Sequence, residues 1–264
     1  MKLLCLNIWG GHVKQPLLDL IYHYRDVDFF CLQEVYHQGL QKNSTDRRQL
    51  SLNIFSEIQA LLPSHQGFFR PVVQGVYGQA MFIKNTVVVY AEDEVSIYHN
   101  PRYAGMGARH DRILQWARCR YLDQSFMVSH VHGLWNGLGK TDTPDRLKQS
   151  QLIYEFSQSQ PCPHILCGDF NLRPDTKSIE LLGDQWRNLI AEFKVTSTRT
   201  SLYDKDETYA DYIFVSPNIT VNQFCVLPDE VSDHAALYLD FGLAEIIDKA
   251  ATNKKQSSVH IKVS

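Results

Sequence analysis

The 264-residue chain has no Cys-x-x-Cys pair, no internal repeat, no proline- or glycine-rich linker and no apolar run long enough to span a bilayer. The first absence argues against a disulfide framework or a structural zinc site: Cys5, Cys31, Cys119 and Cys167 sit in apolar strand-like runs, as reduced buried cysteine does. A cytoplasmic location is expected on this ground. Met1 to Leu6 resembles a signal peptide for a few residues only, because Asn7 and Gly10-Gly11-His12 follow too soon for an h-region of normal length. With no apolar stretch of ~20 residues, no transmembrane segment is expected. Positive charge is also scarce. Net charge is -3 and the pI is near 6.4, which excludes a global field able to hold long nucleic acid non-specifically. Any polyanionic substrate must be gripped by local groups, and no protein partner is evident.

What the chain does contain is an ordinary globular composition, 44% hydrophobic, long enough to bury a large core in one domain. That domain is expected over residues 1–243, followed by a polar, aperiodic and flexible tail over 244–264. Residues 2 to 8 form an apolar run, and Leu17, Leu20, Ile21 and Tyr24 mark a helix. Val27 to Gln33 reads as a strand closed by Glu34, and Ile54, Ile58 and Leu61 mark a second helix stopped by Pro63. Tyr36 to Arg48 reads as a loop. A meander is predicted through Ala80–Ile83, Val87–Tyr90 and Ile113–Tyr121, interrupted by a binding-type loop from His99 to Arg112 that holds Arg102, Arg109 and Arg112. Phe126 to His130 is the next strand; Thr143-Pro144-Asp145 caps a helix reaching about Gln158. Strands are expected again at Ile165–Cys167, Tyr212–Val215, Val221–Val226 and Ala235–Phe241, with a short helix near Lys177 to Leu182.

Several of these strands end or begin at a polar residue suited to phosphate chemistry. Asn7, Glu34, His130 and the pair Asp169 and Asn171 close strands, while Asp211 and Asp233-His234 precede them. Strands running in opposite directions would bring these ends to one edge. In this order, Asn7, Leu32-Gln33-Glu34, His130, Gly168-Asp169-Phe170-Asn171, Asp211-Tyr212 and Ser232-Asp233-His234 resemble the endonuclease/exonuclease/phosphatase superfamily over nearly the whole chain, residues 2 to about 241.

The resemblance implies an α+β fold of four layers, α/β/β/α, in which two mixed, mostly antiparallel sheets are flanked by helices. It also implies Mg²⁺, with Mn²⁺ as a substitute, bound mainly by Glu34 with Asn7 and Asp233 contributing. Asp169 would orient or deprotonate the attacking water, and Asn171 would hold that water or a phosphoryl oxygen. His130 and His234 would donate to non-bridging oxygens, with Asp211 fixing one histidine's tautomer. His132 shares a face with His130 and is an alternative partner; Arg112 and Arg109 are candidate phosphate contacts. Trp9 follows Ile8 where abasic-site endonucleases carry the Asp of Asn-x-Asp, and Tyr209-Ala210 stands where many members have Arg-Ile, so DNA repair is disfavoured. The expectation is a metal-dependent phosphodiesterase acting on a nucleic-acid or nucleotide-like substrate. The alternatives are a sphingomyelinase-like or inositol-phosphate hydrolase, and an inactive binding module.

Overall fold

A computed structural model of the chain describes residues 1–39, 51–102 and 109–244. The expected tail, most of the loop after Tyr36 and the middle of the His99–Arg112 loop lie outside the described residues.

Two six-stranded sheets stand face to face. The first orders its strands as β11 (Ile219–Val226), β12 (Leu237–Leu243), β1 (Lys2–Asn7), β2 (Phe29–Tyr36), β4 (Tyr77–Lys84) and β3 (His65–Val73). The second runs β5 (Val88–Tyr98), β6 (Arg112–Tyr121), β7 (Gln124–His132), β8 (His164–Asp169), β10 (Asp211–Val215) and the two-residue β9 (Arg187–Asn188). Each sheet has one parallel pair, β1 with β2 and β7 with β8; the other neighbours are antiparallel. The predicted four-layer sandwich is the observed one. Helices α1 (Lys14–His23) and α2 (Ile54–Leu61) cover the first sheet, and α3 (Pro144–Gln158), α4 (Lys177–Gly183) and α5 (Leu189–Glu192) lie on the second.

The unbroken apolar runs follow from burial on both faces of the central strands. Side chains alternate along a strand, so Leu3, Cys5, Phe29 and Cys31 enter the core between the sheets, while Leu4, Leu6, Phe30 and Leu32 meet Leu17, Ile21 and Ile58 of the helices. Phe29 and Phe241 from the first sheet meet Phe126 from the second, with ring centroids 5.8 and 6.1 Å from that of Phe126. Burying each such ring contributes about 2 kcal/mol or more. Thr143 caps α3 by accepting from the amide of Arg146, and Pro144 supplies a first-turn residue that needs no backbone donor. All six cysteines are free. Among the described residues no helix is long and apolar enough to cross a membrane.

Two expectations change. The predicted meander is divided, because β4 pairs within the first sheet and β5 within the second, so the chain crosses between sheets after Lys84. Periodicity marks a strand but not the sheet it joins. Glu34 does not close β2 either: the strand continues to Tyr36 through a bulge between Gln33 and Val35.

Candidate active site

The bulge is what aims Glu34. Its φ of 60° places it in the left-handed region, so its carboxylate leaves the alternation of β2 and reaches the end of β1. There Asn7 Nδ2 donates to Glu34 Oε1 at 3.0 Å and to Asp169 Oδ2 at 3.1 Å, while Asn7 Oδ1 accepts from the amide of Trp9. Trp9 and Asn171, with φ of 51° and 55°, are also left-handed, and all three residues line one cavity of about 440 Å³.

On the second sheet, register does the positioning. Asp169 ends β8 opposite Asp211, the first residue of antiparallel β10, and beside His132, the last residue of parallel β7. Gly168 allows this because a Cβ there would lie 2.1 Å from the carbonyl oxygen of Val131, and its φ of 133° suits glycine. The glycine therefore serves a close approach inside the strand.

Asp169 is the centre of the polar network. Its Oδ1 accepts from the backbone amide of Asn171 at 2.8 Å, and its Oδ2 accepts from Asn7 and from Asn171 Nδ2. His234 Nε2 lies 3.6 Å and His132 Nε2 3.8 Å from that same oxygen. Burial alone would raise the Asp169 pKa, but His234, Lys140, His132 and Arg199 outweigh it and hold the carboxyl below its usual range. Glu34 moves the other way. Burial raises it, Asn7 and His234 lower it, and the charges of Asp233 and Asp169 add to the rise.

His234 Nδ1 hydrogen-bonds Asp211, whose Oδ2 also accepts from Thr198 Oγ1 at 3.0 Å. Burial would lower the His234 pKa, yet the carboxylates of Asp211 and Asp169 raise it above the ordinary value. His132 lies well below that value, through burial and then the charge of Arg112. Asp169 is thus biased toward its anion and His234 toward its cation beside it, while His132 is biased toward the neutral imidazole.

The structure brings together Asn7, Glu34, His132, Asp169, Asn171, Asp211, Asp233 and His234, with Arg112 in the cavity wall. It does not bring His130 there. His130 is fully buried between the sheets, where its Nδ1 accepts from Gln33 Nε2 and its Nε2 donates to Gln115 Oε1. Burial pushes its pKa down to about 3, as for a neutral core histidine. β7 simply runs two residues further than expected, and His132 occupies the position assigned to His130. Arg109 is exposed and outside the cavity wall; its carbonyl accepts from Asn100 Nδ2.

Several cavity groups were not assigned to the site from sequence. Lys140 is buried and donates to Asn171 Oδ1 at 3.2 Å. Arg199 approaches Asp233 Oδ2 at 3.4 Å and stacks over the Tyr203 ring, 3.9 Å from its centroid. Trp135, Tyr77, His110 and Lys205 also line the wall. Lys140 and Arg199 sit in loops without periodicity, where the available signals were Gly137 and Gly139 before Lys140 and the basic residue in the Thr196–Ser201 stretch.

Asp169, Asp211 and His234 hold ligand-type atoms within 4.8 Å of one another, a grouping that fits a metal site. The Asp211–His234 contact is already a hydrogen bond, however, and Thr198 takes up Asp211 further. Hard oxygen donors suited to a divalent ion lie beside it on Glu34 and Asp233, where a cation would offset the burial and the neighbouring Asp233 and Asp169 charges that raise Glu34.

The sequence matches the endonuclease/exonuclease/phosphatase family over residues 4–234, and the chain belongs to that family. The class of chemistry so defined is hydrolysis of phosphate esters. Among solved structures, a mannosyl-6-phosphatase from Bacteroides thetaiotaomicron superposes with a TM-score of 0.70 at 18% identity, covering 92% of this chain and 100% of that one. The human Nocturnin catalytic domain with bound sulfate gives 0.65 at 19% identity, covering 92% and 93%. D. rerio TDP2 complexed with a single-strand DNA product gives 0.68 at 16% identity, covering 92% and 98%. No curated protein matches the sequence.

Proposed function

We propose that the chain is a divalent-metal-dependent phosphodiesterase that hydrolyses a nucleotide-like or nucleic-acid diester by attack of water. The observation that carries this reading is the arrangement about Asp169: a carboxylate beside His234 that shares the Asn7 amide donor with Glu34 in one cavity.

In this reading Asp169 orients the attacking water and accepts its proton, and Asn7 and Asn171 fix the carboxylate's direction through their amide N–H groups. His234, biased toward its cation because Asp211 and Asp169 outweigh its burial, donates from Nε2 to a non-bridging oxygen. His132 and Arg112 line the same cavity as further donors. Mg²⁺, with Mn²⁺ as substitute, would be held by Glu34 with Asn7 and Asp233 adjacent, and would neutralise charge on the phosphoryl oxygens. Trp9, Tyr77, Trp135 and Tyr203 line the cavity as aromatic groups that a nucleobase would meet, and a volume near 440 Å³ suits a ligand of nucleotide size.

A second reading is a phosphomonoesterase acting on a sugar or inositol phosphate, supported by the buried cations Arg112 and Lys140 that would meet a dianion. Purified protein with Mg²⁺ or Mn²⁺ should be assayed against single- and double-stranded DNA, RNA, model diesters, sphingomyelin, inositol phosphates and hexose phosphates. Turnover of diesters with base-dependent KM supports the first reading. Turnover of monoesters alone replaces it with the second, and no turnover of any ester rejects both.

A further inference from the structure

We propose that Lys140 is a catalytic residue whose ammonium group donates to a non-bridging oxygen of the reacting phosphoryl group. The inference rests on the phosphoesterase reading and adds a residue to it. Lys140 is 2% exposed, yet it lines the cavity, so its stem is enclosed while its charged end reaches the site. Nζ donates to Asn171 Oδ1 at 3.2 Å, which uses one of three donors. Among the described residues no carboxylate forms an ion pair with it. A buried ammonium with a single neutral acceptor is a costly arrangement, and an arriving anion would complete its shell.

The loop that presents Lys140 is held from several directions. Arg146, fully buried in the first turn of α3, donates from Nε to the carbonyl of Leu134, and from NH1 to those of Gly139 at 2.6 Å and Thr141 at 2.7 Å. The last two flank Lys140, whose own carbonyl accepts from the amide of Arg173 at 2.8 Å. Backbone fixed on both sides keeps the ammonium aimed before substrate arrives, which is what makes a donor effective in a transition state. Burial pushes the Lys140 pKa down to about 8, so the group still carries its proton at neutral pH. Asn171 is thereby tied into one unit, donating to Asp169 and Gly133 while accepting from Lys140.

The rival explanation is a strut that only orients Asn171. Lys140→Met and Lys140→Arg, each at full length, separate the two through turnover, melting temperature and direct calorimetric binding of inorganic phosphate to the metal-free protein. The proposal expects Lys140→Met to lose about 10²-fold in kcat. Phosphate affinity should fall about tenfold or more. The melting temperature should hold or rise, since an unpaired buried charge has been removed. Lys140→Arg should recover part of the phosphate affinity. Unchanged phosphate binding in Lys140→Met overturns the proposal, as does a lower melting temperature with phosphate affinity intact. If Lys140→Met does not fold, Lys140→Gln is read by the same criteria. The parent protein assayed in parallel tells the two failures apart: no turnover of any phosphate ester by the parent sinks the phosphoesterase reading, whereas an active parent beside a phosphate-competent Lys140→Met sinks only the lysine.

Discussion

His234 lies between two carboxylates, with Nδ1 2.9 Å from Asp211 and Nε2 3.6 Å from Asp169 Oδ2. The ring is therefore oriented by one acid and charged by both. Asp211→Asn preserves size but removes the charge that fixes the ring, and kcat should fall on the order of 10² or more. Kinetics with the chain still folded, checked by its melting temperature, measure this directly.

Asp169 and His234 act on one phosphoryl group in the proposed mechanism. Asp169→Asn and His234→Ala should each cost about 10²-fold or more in kcat, and the double variant less than the product of the two. Losses that multiply cleanly would mean the residues do not share a transition state.

Glu34→Gln keeps shape and hydrogen-bonding reach but removes the charge of the principal proposed metal donor. Mg²⁺ affinity should drop about tenfold or more, with a comparable or larger loss of kcat. Calorimetric titration of Mg²⁺ gives the first quantity. Saturating EDTA should abolish activity in the parent protein and added Mg²⁺ restore it; full activity in EDTA would reject the metal role.

Arg199 and Arg109 test where the substrate's charge is met. Arg199 lines the cavity and Arg109 stands outside it. Arg199→Ala should raise KM or lower kcat by about tenfold, while Arg109→Ala stays within about twofold on a small substrate. With few phosphates contacted, log(kcat/KM) should fall only shallowly as KCl rises. A steep fall on long DNA, together with a damaging Arg109→Ala, would indicate polymer tracking over the outer loop.

Acid should destabilise the fold before its carboxylates protonate. His130 and His164 are buried, and burial pushes both pKa values down to about 3. An unfolded histidine titrates near 6.5, so below that pH the unfolded chain binds protons that the folded chain refuses. Stability is complete above about pH 6.5 and is lost toward pH 3, by ~1.4 kcal/mol per pH unit for each histidine. His234 acts oppositely: its raised folded pKa stabilises fully below about 6.5 and loses that effect only as pH rises through the folded value. Urea midpoints measured from pH 7 to 4.5 should decline, and His164→Gln should flatten the slope. An unchanged slope would contradict the assignment.

The sequence carried most of the site because its groups stand where apolar runs stop. Asn7, Asp169 and Asp211 could be placed at strand ends, whereas the four-layer arrangement came only through the family resemblance that the motif order carries. The choice between His130 and His132 was not legible. Both point to the same face of β7, and only the strand's true length, together with Gln33 and Gln115, decides which one is enclosed. Lys140 and Arg199 were missed for a different reason. Each gains its meaning from a distant partner, Asn171 or Asp233, that no local pattern connects to it. The two-residue β9 and four-residue α5 are set by packing on β10 and leave no periodicity to read.

The left-handed backbone at Trp9, Glu34 and Asn171 has a consequence for engineering. Each costs about 1 kcal/mol relative to glycine in the same conformation. Glycine would relieve that backbone cost at each position, but it would delete a cavity side chain and, at Asn171, leave Lys140 Nζ without its acceptor. Thermostability and turnover are therefore set against each other at these residues, and a stabilised variant must draw its improvement from elsewhere, such as the exposed positions of α1 or the surface of β5.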